Sequence, residues 1–342
     1  MSRFRRSAIA LVASAGLVLT GCSATEGSSS AESASASGAA GSEAAAESAG
    51  TVTVEDNYGT QEVPVDPETV VALDNRTFEV LHDWNVDLAA APLDLLPKGA
   101  DWYSEEDGTL NVGNHREPNL EIITATQPDL IVSGQRFATH DEDIKKLNPD
   151  TPLVDFEPRE GQAWDQELVR QVTELGKIFD KEEESQELVD EFNAALERAR
   201  EAYDPAKKVM AVNVSGGEIG YIAPGVGRTY GFLFDLVGMT PALEVAGSSS
   251  NHEGDDISVE AIAQSNPDIL LVLDRDAAVQ STDPATYTAA ENVIRDNPAL
   301  QNVTAVQDEA IYLAPADTYT NESIITYTEI LNGMADLFES QK

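Results

Sequence analysis

The chain has 342 residues, 42% of them hydrophobic and 6% aromatic, with 61 acidic residues against 21 basic ones for a net charge of −40. That balance argues against a nucleic-acid binder, whose phosphates demand clustered Lys and Arg. One cysteine and four scattered histidines argue equally against a disulfide framework and a histidine-rich zinc site.

Arg3, Arg5 and Arg6 form a basic start, residues 8–20 carry no charge, and Leu19-Thr20-Gly21-Cys22 closes the segment. This order reads as a secretory signal over residues 1–21. Its apolar run falls short of the roughly 20 residues that a permanent membrane span needs. Leu-Thr-Gly-Cys resembles the lipobox of bacterial lipoproteins, which implies cleavage before Cys22, acylation of its sulfur and an anchor on the extracytoplasmic face of the cell membrane. Residues 22–50 are Ser, Ala, Gly and Glu without large apolar side chains. Such a segment cannot offset its ordering entropy and is expected to be a flexible leash. Without residues 1–21 the chain keeps 18 basic residues against all 61 acidic ones, a net charge of −43.

From Thr51 a hairpin is expected, its alternating arms meeting at Asn57-Tyr58-Gly59. Short apolar strands then alternate with helical patterns. Strands are expected at Val70–Leu73, Val86–Ala91, Leu130–Ser133 and Pro152–Phe156. Helices are expected at Thr77–Trp84, Asn119–Thr126, Glu142–Leu147 and Ala163–Phe179. Alternation of this kind implies α/β architecture with a mostly parallel sheet. Lys181 to Tyr203 holds no Gly or Pro, and Leu188, Val189, Phe192, Ala195 and Leu196 recur at helical spacing, so one long helix is expected before Pro205. The alternation then resumes. Strands are expected at Lys208–Val214, Gly220–Ala223, Ile269–Leu273 and Ala310–Leu313, and helices at Thr229–Val237, Ile257–Gln264, Thr288–Asn297 and Ser323–Ser340. The stretch from Asn119 to Val132 echoes the stretch from Ser258 to Val272: in each a helix ends at Pro-Asp and an apolar strand follows. The expected organisation is two doubly wound lobes, residues 51–180 and 205–342, joined by one long helix over 181–204. Ligands of open α/β sheets sit beyond the carboxyl ends of strands, so the loops there are the search area.

The chain resembles the class III substrate-binding lipoproteins of ABC importers. The resemblance rests on the lipobox, the repeated helix–Pro-Asp–strand unit and the linking helix. Val112-Gly-Asn-His-Arg-Glu-Pro-Asn-Leu-Glu, Gly227-Arg-Thr-Tyr-Gly-Phe-Leu-Phe-Asp-Leu-Val-Gly and Asn251-His-Glu-Gly are similar to the branch that binds ferric catecholates, petrobactin-type ligands included. The resemblance implies a carrier rather than an enzyme. It would have no intrinsic cofactor, a ferric siderophore as ligand, and an ABC permease with its ATPase as partners. It would touch the membrane only through its lipid, and would act as a monomer. It also implies roles for particular residues. Arg136, Arg228 and Arg275 would surround the anionic iron complex. The family places arginine directly after the glycine of the first of these loops; here Gly134 is followed by Gln135 and then Arg136, so Gln135 competes for that place. Arg76 has no clear family counterpart and is expected either to add charge at the cleft or to be peripheral. His252 and Tyr319 would bind Fe(III) directly when the siderophore leaves coordination positions open, phenolate oxygen suiting a hard cation. Glu121 and Asp235 would meet arginines of the permease.

Guanidinium suits the proposed cargo because it is planar, permanently charged and stacks on aromatic rings. A local arginine cluster can overcome the acidic global field, since the Debye length is about 8 Å at physiological salt. Haem or cobalamin as cargo, a lipoprotein with no transport role, and a hydrolase are the alternatives. Val214-Ser215-Gly216-Gly217 lacks the first glycine of a nucleophile elbow.

Overall fold

The computed structural model describes residues 50–279 and 282–342. The signal segment, Cys22 and the leash up to residue 49 lie outside them.

Strands β1 (Thr51–Asp56) and β2 (Gly59–Pro64) form the antiparallel hairpin, with Thr51 opposite Pro64 and Asp56 opposite Gly59. There follow β3 (Val70–Ala72), α1 (Phe78–Asp83), β4 (Leu88–Ala91), β5 (Leu110–Asn111), α2 (Leu120–Ala125), β6 (Leu130–Ser133), α3 (Asp141–Leu147) and β7 (Leu153–Asp155). The strands make one parallel sheet in the order β5-β4-β3-β6-β7. Every residue of β3, β6 and β7 is buried, as a parallel sheet covered on both faces requires.

The chain leaves this sheet through α4 (Trp164–Ile178) and α5 (Glu182–Ala202), separated by a turn in which Asp180 is left-handed at φ +53°. Helix α5, the long helix expected from the sequence, has 21 residues and so extends about 31 Å. Its buried stripe of Val189, Phe192, Ala195, Leu196 and Ala199 belongs to the main apolar core, which runs through both halves.

The second half contains β8 (Lys208–Ser215), β9 (Glu218–Ile222), α6 (Gly231–Val237), β10 (Thr240–Pro241), β11 (Asp255–Asp256), α7 (Val259–Ser265), β12 (Ile269–Asp274), α8 (Arg275–Ala278), α9 (Ala290–Arg295), α10 (Thr304–Gln307), β13 (Ile311–Leu313), α11 (Thr318–Asn321) and α12 (Ile324–Ser340). The sheet order is β11-β9-β8-β12-β13, with β10 also on β8. β8, β12 and β13 run parallel, while β9 is antiparallel to both its neighbours.

The sequence echo is a structural one. Asn119 caps α2 by accepting from the Glu121 N–H, and Ser258 caps α7 by accepting from the Ala261 N–H. Both helices end at a left-handed residue, Gln127 at φ +51° and Asn266 at φ +46°, directly before Pro-Asp. The Asp129 carboxylate then accepts the Thr69 N–H at 3.0 Å, and the Asp268 carboxylate accepts the Lys208 N–H at 2.8 Å. Each Pro-Asp thus ties the start of its own strand to the start of the central one.

Two boundaries move for backbone reasons. The strand expected from Val86 begins at Leu88, because Asn85 is left-handed and Val86 donates to Leu81 O to close α1. The helix expected from Thr229 begins at Gly231, because Thr229 is itself left-handed at φ +63°. The two-residue strands and four-residue helices were not expected; they are too short to show a period.

Candidate functional site

A cavity of about 790 Å³ opens between the halves at the carboxyl ends of their strands. The first half contributes Asp94, Asn114, His115, Arg116 and Arg136, with Leu95 and Leu96 as its apolar floor. The second contributes Arg228, His252, Arg275, Val279, Tyr319 and Thr320.

Tyr319 lies in α11, 4% exposed, and its ring is the centre of the site. The guanidinium carbon of Arg228 lies 4.2 Å from its centroid, that of Arg275 5.1 Å and that of Arg136 5.9 Å. A guanidinium over an aromatic face gains about 0.5–2 kcal/mol, more when desolvated. Three about one ring also repel one another, and an anion entering the cavity relieves that repulsion. The Tyr319 hydroxyl has no hydrogen-bond partner among the described residues.

The backbone aims these side chains. Gly134 ends β6 at φ +148°, and a Cβ there would meet the Asp74 carboxylate at 2.9 Å, so only glycine fits. Gln135 follows in a left-handed conformation at φ +49°, and Arg136 comes out on the cavity wall. Arg228 sits in a tight turn held by Gly231 N–H donating to Gly227 O at 2.9 Å and Gly225 N–H donating to Gly231 O at 2.7 Å. Its side chain donates to Glu322 from Nη2 at 2.7 Å and from Nε at 3.3 Å, and to Tyr319 O from Nη2 at 2.8 Å. Arg275 opens α8 directly after β12, donates to Ser215 Oγ at 3.1 Å and pairs with Asp276 at 3.4 Å.

The charges are unequally compensated. Arg136 has no ion pair among the described residues; burial first, and the Arg228 guanidinium next, pull its pKa below the ordinary arginine value. Burial opposes the charge of Arg228, yet Glu322 and Tyr319 hold its pKa above the ordinary value. Burial likewise opposes ionisation of Glu322, but Arg228, then Arg76, then the Thr229 hydroxyl keep its carboxyl below the usual range. His115 carries its Nδ1 buried and unpaired, while its carbonyl accepts from His140 Nε2 at 2.8 Å. Burial and the Arg136 and Arg116 charges lower its pKa, favouring the neutral ring.

Of the arginines expected at the cleft, Arg136, Arg228 and Arg275 come together on the cavity and Arg76 does not. Arg76 is 4% exposed; it sits in the turn after β3, pairs with Asp74 at 3.8 Å and Glu157 at 3.4 Å, and lies over the Trp164 ring at 5.7 Å. Carboxylates from neighbouring strand ends pair with it away from the cavity, while its Nε and Nη1 are buried without a hydrogen-bond partner among the described residues. Gln135 is not part of the cavity lining, and its Oε1 is buried without a partner among the described residues. Of the two residues after Gly134, Arg136 is the one that lines the cavity. His252 stands at the rim with a 58% exposed side chain, 3.7 Å from Glu253. Glu121 and Asp235 are exposed, on α2 and α6 respectively.

Sequence reasoning did not single out Arg116, Asp94 or Glu322. Arg116 was legible as a loop arginine beside His115. Asp94 and Glu322 had no signal, being two carboxylates among 61 acidic residues.

Comparison with known proteins agrees with this geometry. A family described as periplasmic binding protein matches residues 70–318. The ferric-anguibactin-binding protein FatB of Vibrio anguillarum is 29% identical over 294 residues, covering 84% of this chain and 88% of that protein. The petrobactin-binding protein YclQ of Bacillus subtilis is 27% identical over 290 residues, covering 83% of this chain and 86% of that protein. The solved structure of the siderophore-binding protein BauB, bound to a complex of two acinetobactin molecules and ferric iron, matches with a TM-score of 0.71. It is 25% identical and covers 84% of this chain and 98% of that one.

Proposed function

The chain belongs to the periplasmic binding protein family, and from that premise we propose that it captures an anionic ferric siderophore of the catecholate type and hands it to an ABC permease. The observation that carries this reading is the set of three guanidiniums about Tyr319 in a cavity of about 790 Å³, on a protein whose net charge is −40. Cations gathered on an acidic molecule serve an anionic cargo, and their stacking geometry suits aromatic chelating rings. The named relatives, carriers of ferric anguibactin and petrobactin, support the same cargo class.

In this reading Arg136, Arg228, Arg275 and Arg116 hold the cargo by charge, and the protein performs no chemical step. Tyr319 offers its free hydroxyl, and His252 its ring from the rim, to ferric iron where the siderophore leaves positions open. Glu121 and Asp235, one exposed carboxylate on each half, meet the permease. The protein acts as a monomer, tethered by acylated Cys22 on the extracytoplasmic face.

Fluorescence quenching with a panel of ferric tris-catecholate, ferric bis-catecholate, ferric citrate, ferric hydroxamate, haem and cobalamin tests the cargo. A catecholate is expected to bind tightest. Haem or cobalamin binding tighter, or no binding from the panel, overturns the reading. Metabolic labelling with a fatty acid tests the anchor separately: label is expected on the native chain and not on Cys22→Ala.

A further inference from the structure

Glu322 is an acid built into a site for an anion. It follows Tyr319 by three residues and lies behind Arg228, its side chain 7% exposed against 18% for Arg228. It receives Arg228 Nη2 at 2.7 Å and Nε at 3.3 Å, and the Thr229 hydroxyl at 2.7 Å. Thr229 and Glu322 are both left-handed, at φ +63° and φ +48°. A β-branched residue at positive φ is an outlier. Such strain persists where the surroundings impose it, and it gathers at ligand sites. Here the two strained residues, 93 apart in sequence, hold one another through a buried hydrogen bond.

The clasp does two things to Arg228. It turns the Nε–Nη2 edge of the guanidinium inward, leaving Nη1 as the nitrogen without a hydrogen-bond partner among the described residues. It also sets a full negative charge against the arginine nearest the Tyr319 ring. Asp276 compensates Arg275 in the same way at 3.4 Å, and Arg136 keeps its charge unpaired. Three guanidiniums therefore face two contacting carboxylates, and the excess beside Tyr319 is about one positive charge by this count. A carboxylate this close repels each further negative charge on the cargo, and a partly buried setting screens that repulsion weakly.

We propose that Glu322 is a positioning residue that fixes Arg228 edge-on and, by compensating its charge, selects ferric chelates of low net negative charge over trianionic ones. This rests on the reading of the protein as a ferric-siderophore carrier, and it deepens that reading by stating the charge class of the cargo.

The test compares affinities of the wild type and Glu322→Gln for two probes, a hexadentate ferric tris-catecholate of charge −3 and a tetradentate ferric bis-catecholate of charge −1. The wild type is expected to favour the bis-catecholate, and Glu322→Gln to shift the affinity ratio towards the tris-catecholate by at least tenfold. Glu322→Asp, which keeps the charge and shortens the reach, is expected to weaken both probes while keeping the wild-type ratio. Asp276→Asn leaves Glu322 in place and removes the other compensating carboxylate. It is expected to move the ratio several-fold in the same direction, and it stands in should Glu322→Gln fail to fold. A common loss for both probes in Glu322→Gln, a ratio that moves equally in Glu322→Asp, or an unmoved ratio in Asp276→Asn overturns the inference while leaving the carrier intact. A wild type that binds neither probe removes the carrier reading and this inference together.

Discussion

Two groups of arginines in this molecule have opposite fates. Arg159 and Arg170 converge on Glu167, whose side chain is 3% exposed. Arg159 donates to it from Nη2 at 2.7 Å, from Nε at 3.0 Å and from the backbone N–H at 3.0 Å, and Arg170 adds Nη2 at 2.8 Å and Nε at 3.1 Å. Arg170 also reaches Asn57 Oδ1 and Glu157 O, each at 3.1 Å, and so ties the hairpin to α4. Little is left over for a ligand. Around Tyr319 the guanidiniums are only partly answered: among the described residues Arg136 has no ion pair, and neither Arg228 Nη1 nor the phenol hydroxyl has a hydrogen-bond partner.

That contrast breaks down or sharpens under substitution. The largest effect is expected from Arg228→Ala, which strands the ionised Glu322 in a buried site; removing one partner of such a pair costs about 3–5 kcal/mol. Denaturant unfolding should show this loss together with loss of ferric-catecholate binding. Glu167→Gln comes next. Burial opposes its ionisation, but the Arg159 and Arg170 hydrogen bonds push its pKa down to about 2. The folded pKa is depressed, so its stabilisation is present above the ordinary glutamate value and fades as pH falls towards 2. At neutral pH the substitution should cost about 3 kcal/mol at roughly 1.4 kcal/mol per pKa unit, with cargo affinity unchanged. Equal cargo loss in Glu167→Gln would erase the distinction between the two groups.

Asp155 is a carboxylate that accepts the Asn57 amide at 3.2 Å and the Glu157 N–H at 2.7 Å but meets no cation among the described residues. Burial first, then the charges of Asp141, Glu157 and Asp74, push its pKa up to about 7. The folded state holds this proton longer than the unfolded chain does, so stability falls as pH rises from about 4 to 7. Asp155→Asn should raise the melting temperature at pH 8 and leave it unchanged at pH 4. The smallest effect is expected from Arg136→Ala: an affinity loss of about tenfold, near 1.4 kcal/mol, with no loss of melting temperature. Nothing ionised is stranded when it goes, and its repulsion with Arg228 is relieved.

The strand–helix alternation, the long helix α5 and the echoed Pro-Asp units were legible in the sequence because each is a local pattern of period, turn and cap. The loops after strands as the search area were legible for the same reason, whereas Tyr319 was pointed out only by the family resemblance. The division among arginines was not legible. Arg76 and Arg136 both follow buried strands within four residues. Arg76 nevertheless pairs with Asp74 and Glu157 away from the cavity, while the left-handed Gln135 precedes an Arg136 that lines it. Glu322 gains its meaning only from Arg228 and Thr229, more than ninety residues earlier in the chain. Local chemistry can therefore be read along the chain. Whether a charge is answered depends on distances between residues remote in sequence, and only the folded structure sets those.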